Sequence, residues 1–262
     1  MNGIDVSQWQ GYIDFDAVRR AGIELVYIKA SEGTDLVDPF LFRNYVNASN
    51  AGLMIGFYHY LTARNAAEAK AEAYHFVETV EGLVNEAKLV MDIEDITGLA
   101  REEVNRIASA FLQAVEEYSG KSPAIYAGVD NAAQVLGEEL VVYPLWIAEY
   151  DVDEPTMDNQ WETWAGWQYT DMGRVAGIQG HVDRDIFTDE MIEAVPEPIT
   201  RYAECPSYRM RQKSYRIHRI RNGDTLSAIA RHYDIEVDTL ETFNKLKDPN
   251  LIYTGQLLKI PV

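Results

Sequence analysis

The stretch "LVMDIEDITG", residues 89–98, takes an apolar run straight into two acids set one residue apart, Asp92 and Glu94. Side chains alternate faces along a strand, so these two carboxylates leave on one side and Ile93 on the other. A buried strand that ends in this way carries its acids to the C-terminal rim of a sheet. That rim is where α/β barrels assemble their active sites.

The segments on either side supply the sheet. "LVYIKAS" (25–31), "LMIGFYHYL" (53–61), "PAIYAG" (123–128), "PLWIAEY" (144–150) and "WAGWQYT" (164–170) read as strands like "KLVMDIE" (88–94). Between them, residues 65–83 and 101–120 place apolar residues at three- and four-residue spacing, with a glycine near each end, and read as helices. Near-continuous apolar strands alternating with helices indicate a largely parallel sheet covered on both faces. With "NGIDVS" at the front and "GIQGHVDRDIF" at the back the strands number about eight, and the expected architecture is an α/β barrel. The later strands leave little room for helices, so the barrel is expected to be irregular.

Residues 195–213 contain three prolines and no sustained periodicity, which marks a linker after a first domain at 1–194. Residues 214–262 then read as a small βααβ unit. "SYRIHRI" and "QLLKIP" are its strands, "DTLSAIARHY" and "EVDTLETFN" its helices, and Asp224 or Thr225 is the first N-cap. Charge divides along the same line. Residues 1–200 carry 12 Lys and Arg against 35 Asp and Glu, a balance of −23, while residues 201–262 carry 11 against 7, a balance of +4. So acidic a body argues against nucleic acid as a partner, because phosphate binding relies on basic side chains. The single cysteine, Cys205, excludes an intramolecular disulfide and a cysteine zinc site. No apolar run approaches the roughly 18 residues of a membrane span. The first residues, "MNGIDVSQWQG", lack a signal-peptide pattern, so synthesis in a cytoplasm without self-export is expected.

Two more acids fit the geometry of Asp92 and Glu94. Asp5 ends the first strand and Asp183 lies in the last, and a closed barrel makes those strands neighbours. Four carboxylates around one mouth cannot all ionise cheaply, so one is expected to have a raised pKa and serve as general acid. Glu94, the longer of the close pair and nearer the rim, is the choice. Aromatic residues at strand positions, Tyr58, Tyr60, Tyr126, Trp146, Tyr150, Trp167 and Tyr169, add ring faces suited to a sugar, with Glu149 and Gln168 as polar contacts beside them. Each aromatic taken singly is also a reasonable core residue. Asp185 shares parity with Asp183, and Glu32 in "KASEGT" reads as a supporting acid or a turn cap. His59, His75, His181, His218 and His232 show no ligand spacing, and neither a metal nor another cofactor is expected.

These blocks are recognisable together. "GIDVSQWQGYIDFDAV", "VYIKASEGTDLVDPFLFRNYVNASNAGLMIGFYHYL", "LVMDIED", "LWIAEY" and "WAGWQYTDMGRVAGIQGHVDRDIF" resemble the glycoside hydrolase family 25 lysozymes over about residues 1–192. The resemblance implies an irregular α/β barrel that cleaves the β-1,4 bond between N-acetylmuramic acid and N-acetylglucosamine in peptidoglycan. It implies Glu94 as proton donor in an Asp-x-Glu motif with Asp92, and Asp5 and Asp183 as further catalytic acids; Asp185 departs from the pattern, where Asn is more usual. Residues 215–262, with "GDTL" and "IYTGQLLKIP", are similar to a LysM module. That similarity implies binding of N-acetylglucosamine-containing glycans through Gly223, Asp224, Thr225 and Leu226 in one loop and Asn250, Leu251, Ile252 and Tyr253 in another. Leu226 and Ile252 have an alternative reading as core. The expected partners are the glycan strands of a Gram-positive wall, with no nucleic acid and no membrane. A phage endolysin waiting in its host's cytoplasm fits the missing signal better than a secreted autolysin. The rivals are a silent wall-binding protein and a chitinase-like enzyme, whose strand motif is usually longer than "DIED".

Overall fold

Nine strands between residues 1 and 193 form one sheet, and eight of them close on themselves. In chain order they are β1 (Asn2–Val6), β2 (Leu25–Glu32), β3 (Leu36–Val37), β4 (Met54–Tyr60), β5 (Leu89–Asp92), β6 (Ala124–Gly128), β7 (Leu145–Ala148), β8 (Gly166–Gly173) and β9 (Val182–Phe187). The strip β1-β9-β8-β7-β6-β5-β4-β2 closes through parallel pairing of β1 with β2, and β3 adds to β2 as a short antiparallel flap. The computed structural model describes residues 1–193, 215–244, 246, 252–253 and 256–261. The linker expected at 195–213, with Cys205, therefore lies outside the described residues.

Helices cover the outside of the first five crossings: α1 (Phe15–Arg20), α2 (Leu41–Asn50), α3 (Ala66–Val80), α4 (Arg101–Ser119) and α5 (Val129–Gln134). The two expected helices are α3 and α4. Asn65 caps α3 by accepting from the amides of Ala67 and Glu68, and Gly120 ends α4 in the left-handed region at φ 71°. No helix separates β7 from β8. Their connection is held instead by Trp161, which is buried and donates its indole N–H to the carbonyl of Tyr143 at 2.8 Å. β9 runs antiparallel to both neighbours. A parallel return needs a crossover of about a dozen residues or more, and the eight residues between β8 and β9 do not supply one.

The barrel is filled, not hollow. Trp146 lies 4.8 Å from Tyr27, 4.9 Å from Tyr126 and 5.0 Å from Phe187, ring centre to ring centre. Two glycines make room for this stack: a Cβ on Gly56 would meet the Tyr27 ring at 2.3 Å, and one on Gly166 the Trp146 ring at 2.8 Å. Below the mouth the barrel interior is therefore filled by side chains.

The chain divides into two compact units, Met1–Glu193 and Ala194–Val262. In the second, β10 (Tyr215–Arg219) pairs antiparallel with β11 (Leu257–Pro261), and α6 (Leu226–His232) and α7 (Val237–Phe243) lie between them in sequence. Leu226, Ile229, Leu240, Leu258 and Ile260 form its core. Asn244, just after α7, ties helix to sheet by donating to the carbonyls of Leu240 and Lys259 and accepting from the amide of Lys259. No helix among the described residues is long and apolar enough to cross a membrane.

Candidate active site

A cavity of about 270 Å³ opens at the C-terminal ends of the parallel strands, and Asp5, Asp92, Glu94 and Asp183 all line it. The barrel register brings them together. Asp5 and Asp183 stand directly opposite each other in the antiparallel β1–β9 pair, and Asp92 is the last residue of β5, with Glu94 just past it and exposed.

Their environments differ. Burial, followed by the Asp183 charge, pushes the Asp5 carboxyl well above the usual carboxylate range. Burial does the same to Asp92, and the charge and hydrogen bond of Glu94 add to it. Asp183, partly open to the cavity, is raised to about 6 by burial, and a hydrogen bond from Asp5 works against the rise. The upward pressure expected on one carboxyl thus falls on the inner three, and a proton held on Asp92 sits against Glu94. Asp185 is buried one layer below, raised in the same way, and accepts from the Trp146 indole at 3.2 Å.

Gln168 organises the wall opposite Asp92. Its amide N–H donates to Asp5 at 2.8 Å, while its carbonyl accepts from Tyr126 at 2.9 Å and from Tyr150 at 2.5 Å. Two phenols thereby orient one amide, and the amide orients one acid. Tyr58 and Tyr60 line the other side, both kept protonated by burial and the surrounding carboxylates, Tyr60 with its pKa pushed up to about 12.

A β-bulge sets the one cation in the cavity. Lys29 pairs with Tyr58 and Ser31 with His59, so β2 spends one extra residue there. The extra residue turns Ser31 outward and lets Lys29 and Glu32 both reach the inner side, where they form an ion pair at 2.7 Å. Outside the barrel, buried His59 bridges Ser31 at 2.9 Å and Glu72 of α3 at 3.0 Å, and Glu72 also accepts from the amide and hydroxyl of Thr62. Glu32 is thus a partner of Lys29, and His59 is part of the scaffold.

Of the aromatic and polar residues expected to contact substrate, Tyr58, Tyr126, Trp146, Tyr150 and Gln168 line the cavity, with Trp146 nearly buried as its floor. Glu149, Trp167 and Tyr169 do not. Gln168 faces inward, so its strand neighbours must face outward. Trp167 donates to the carbonyl of Glu149 at 2.8 Å, Tyr169 lies under Arg184, and the Glu149 carboxylate fastens Thr156. Sequence reasoning missed Ser7, Trp9 and Lys29 in the lining. Lys29 carried a usable signal, a lone charge in an apolar strand; Trp9 sits in a turn that no periodicity marks. Among the described residues no group of three or more His, Cys, Asp and Glu could hold a metal ion.

In the second unit Gly223 adopts φ 91°, a conformation that favours glycine. Asp224 accepts from the Arg221 amide and from His218, and Thr225 caps α6. Leu226 is in the core and Ile252 packs on it, while Tyr253 is exposed. Asn250 and Leu251 lie outside the described residues.

Comparison with known proteins places both units. The glycosyl hydrolases family 25 profile matches residues 4–178 and the LysM domain profile residues 218–261. The autolytic lysozyme of Clostridium acetobutylicum is 37% identical over 192 residues, 73% of this chain and 57% of that protein, so this chain spans little more than half the length of that relative. The crystal structure of the bacterial lysozyme from Streptomyces coelicolor superposes with a TM-score of 0.64 at 32% identity, covering 71% of this chain and 91% of that one. The CTP1L endolysin superposes with a TM-score of 0.63 at 31% identity, covering 72% and 67%. A family profile that covers most of the barrel, and solved relatives with the same fold, agree with the acid-lined mouth: the chain belongs to glycosyl hydrolases family 25 and carries a LysM domain after the barrel in sequence.

Proposed function

We propose that the barrel hydrolyses the β-1,4 bond between N-acetylmuramic acid and N-acetylglucosamine in peptidoglycan. The observation that carries this reading is the pairing of buried, proton-retaining Asp92 with exposed Glu94 across one cavity from the Asp5–Asp183 pair. Burial, with the charge and hydrogen bond of Glu94, raises the Asp92 carboxyl and keeps a proton on it beside Glu94. Glu94, the member that reaches the open side, delivers that proton to the glycosidic oxygen as the bond to the anomeric carbon breaks. Asp92 keeps the proton available and faces the developing positive charge. Asp5, hydrogen-bonded by Gln168 and itself donating to Asp183, leaves Asp183 as the anion on the far side of the cavity. Asp183 then steadies the oxocarbenium-like centre or the acetamido group beside it, and water adds to the anomeric carbon and returns a proton to the Asp92–Glu94 pair. Tyr58, Tyr60 and Tyr126 supply ring faces and phenol donors to the uncharged sugar.

Mass spectrometry of the reducing ends released from purified Gram-positive walls tests the reaction, with Glu94→Gln beside the wild type. Reducing-end N-acetylmuramic acid from the wild type alone is expected; reducing-end N-acetylglucosamine, or equal release by both proteins, refutes it.

The LysM unit, in the same reading, holds the enzyme on the wall through N-acetylglucosamine-containing glycans, which raises its effective concentration on an insoluble polymer. Likeness to an endolysin supports a role in lysing a Gram-positive host from within. Expression in such a host is then expected to lyse cells only after the membrane is permeabilised, and lysis without permeabilisation would overturn it.

A further inference from the structure

Beside the cavity, the turn after β1 exposes two large rings, Trp9 at 82% and Tyr12 at 69%. The turn is held firmly. Ser7 and Gln10 form a reciprocal cap, Gly11 turns the chain at φ 63°, and Asp38 accepts from the amides of both Gln8 and Phe40. Water-exposed aromatic surface on a rigid turn is unfavourable unless a partner covers it. Trp9 also lines the catalytic cavity, so whatever covers the turn continues from the bound substrate.

A cation specifies what that is. The Arg43 guanidinium lies 3.8 Å from the centre of the Tyr12 ring, whose edge rests on Phe40 at 5.7 Å. Stacking fixes the plane of an arginine while leaving its N–H edge free for a carboxylate, and among the described residues no carboxylate forms an ion pair with Arg43. The first 200 residues carry a net −23. An anionic substrate is repelled by such a surface, so a cation beside the mouth has a specific use.

Building on the muramidase reading, we infer that Trp9, Tyr12 and Arg43 form a subsite for the peptide stem that N-acetylmuramic acid carries on its lactyl group. Arg43 pairs with a stem carboxylate, Tyr12 supports the guanidinium, and Trp9 covers the chain between stem and sugar. The site selects strands that still bear peptides over stripped ones.

The test uses the full-length protein and two soluble disaccharide fragments, one with its stem and one freed of it by an amidase. Calorimetry is expected to show Arg43→Gln weakening the stem-bearing fragment about fivefold, the scale of one exposed ion pair, and leaving the stripped one unchanged. Arg43→Lys should fall between, and the difference should shrink in high salt. Tyr12→Leu should resemble Arg43→Gln. Equal weakening of both fragments, or none, overturns the subsite. Turnover of walls by the wild type is scored separately: its absence sinks the reaction, whereas the binding ratio alone judges the subsite.

Discussion

Asp183→Asn is expected to stabilise the barrel at high pH and do nothing at low pH. The native carboxyl has its pKa raised to about 6 from an ordinary 3.8, so between those values the folded state holds a proton that the unfolded state has lost. Stability therefore falls as pH rises through this window, and the deficit is complete above pH 6 and absent below about 4. A shift of that size corresponds to ~3 kcal/mol. Solvent reaching the open side of the carboxyl lowers this to about 2 kcal/mol. Asparagine keeps an oxygen to accept the Asp5 hydrogen bond and removes the charge. Urea denaturation at pH 8 and pH 4, followed by tryptophan fluorescence, reads the barrel alone, because all five tryptophans lie at or before residue 167. At pH 8 the variant should exceed wild type by about 2 kcal/mol, or roughly 4–8 °C in Tm for a unit of this size; at pH 4 the two should coincide. A variant no more stable at pH 8, or a gap that widens on acidification, would refute the reasoning. The expected result also means that the site's charge is held at a cost to the fold, as functional carboxylates often are.

Gln168→Leu removes the donor that works against the rise in Asp5, so the Asp5 carboxyl should climb further and kcat fall about tenfold or more; wild-type activity with an unaltered pH–rate profile would show that the amide is not coupled to the acids. Glu72→Gln leaves buried His59 and Thr62 with a weaker acceptor and should cost about 1–3 kcal/mol. Because this network pins the β2 bulge, the variant should also raise KM, and a stability loss with KM unchanged would uncouple bulge from site.

The barrel was legible in the sequence because burial on both faces writes itself as apolar runs, and because α3 and α4 carry a clear helical period. The orientation of β9 was not, since direction depends on how much chain lies between paired strands and not on strand composition. α2 escaped notice for a different reason: "LFRNYVNASN" is rich in weak helix formers and has no side-chain cap.

At the mouth, the four acids could be placed from strand parity and ring closure alone, while their neighbours could not. Naming Trp167, Gln168 and Tyr169 together as substrate contacts set three consecutive strand residues on one face, which alternation forbids; the inward hydrogen bonds of Gln168 decide which face it is. Lys29 and Glu32 break alternation in the opposite sense, since they share a side only because of the bulge between them. A bulge is a property of two paired strands, so neither strand's sequence records it. Composition therefore reveals the carboxylates that line the mouth more readily than the groups that orient them, because the acids violate the hydrophobic pattern of a strand end and the orienting groups obey local packing. Asp5 illustrates the division: its position follows from the first strand, but its proton is held by burial and by Asp183 from β9 against the pull of the Gln168 N–H from β8, surroundings that exist only once the barrel has closed.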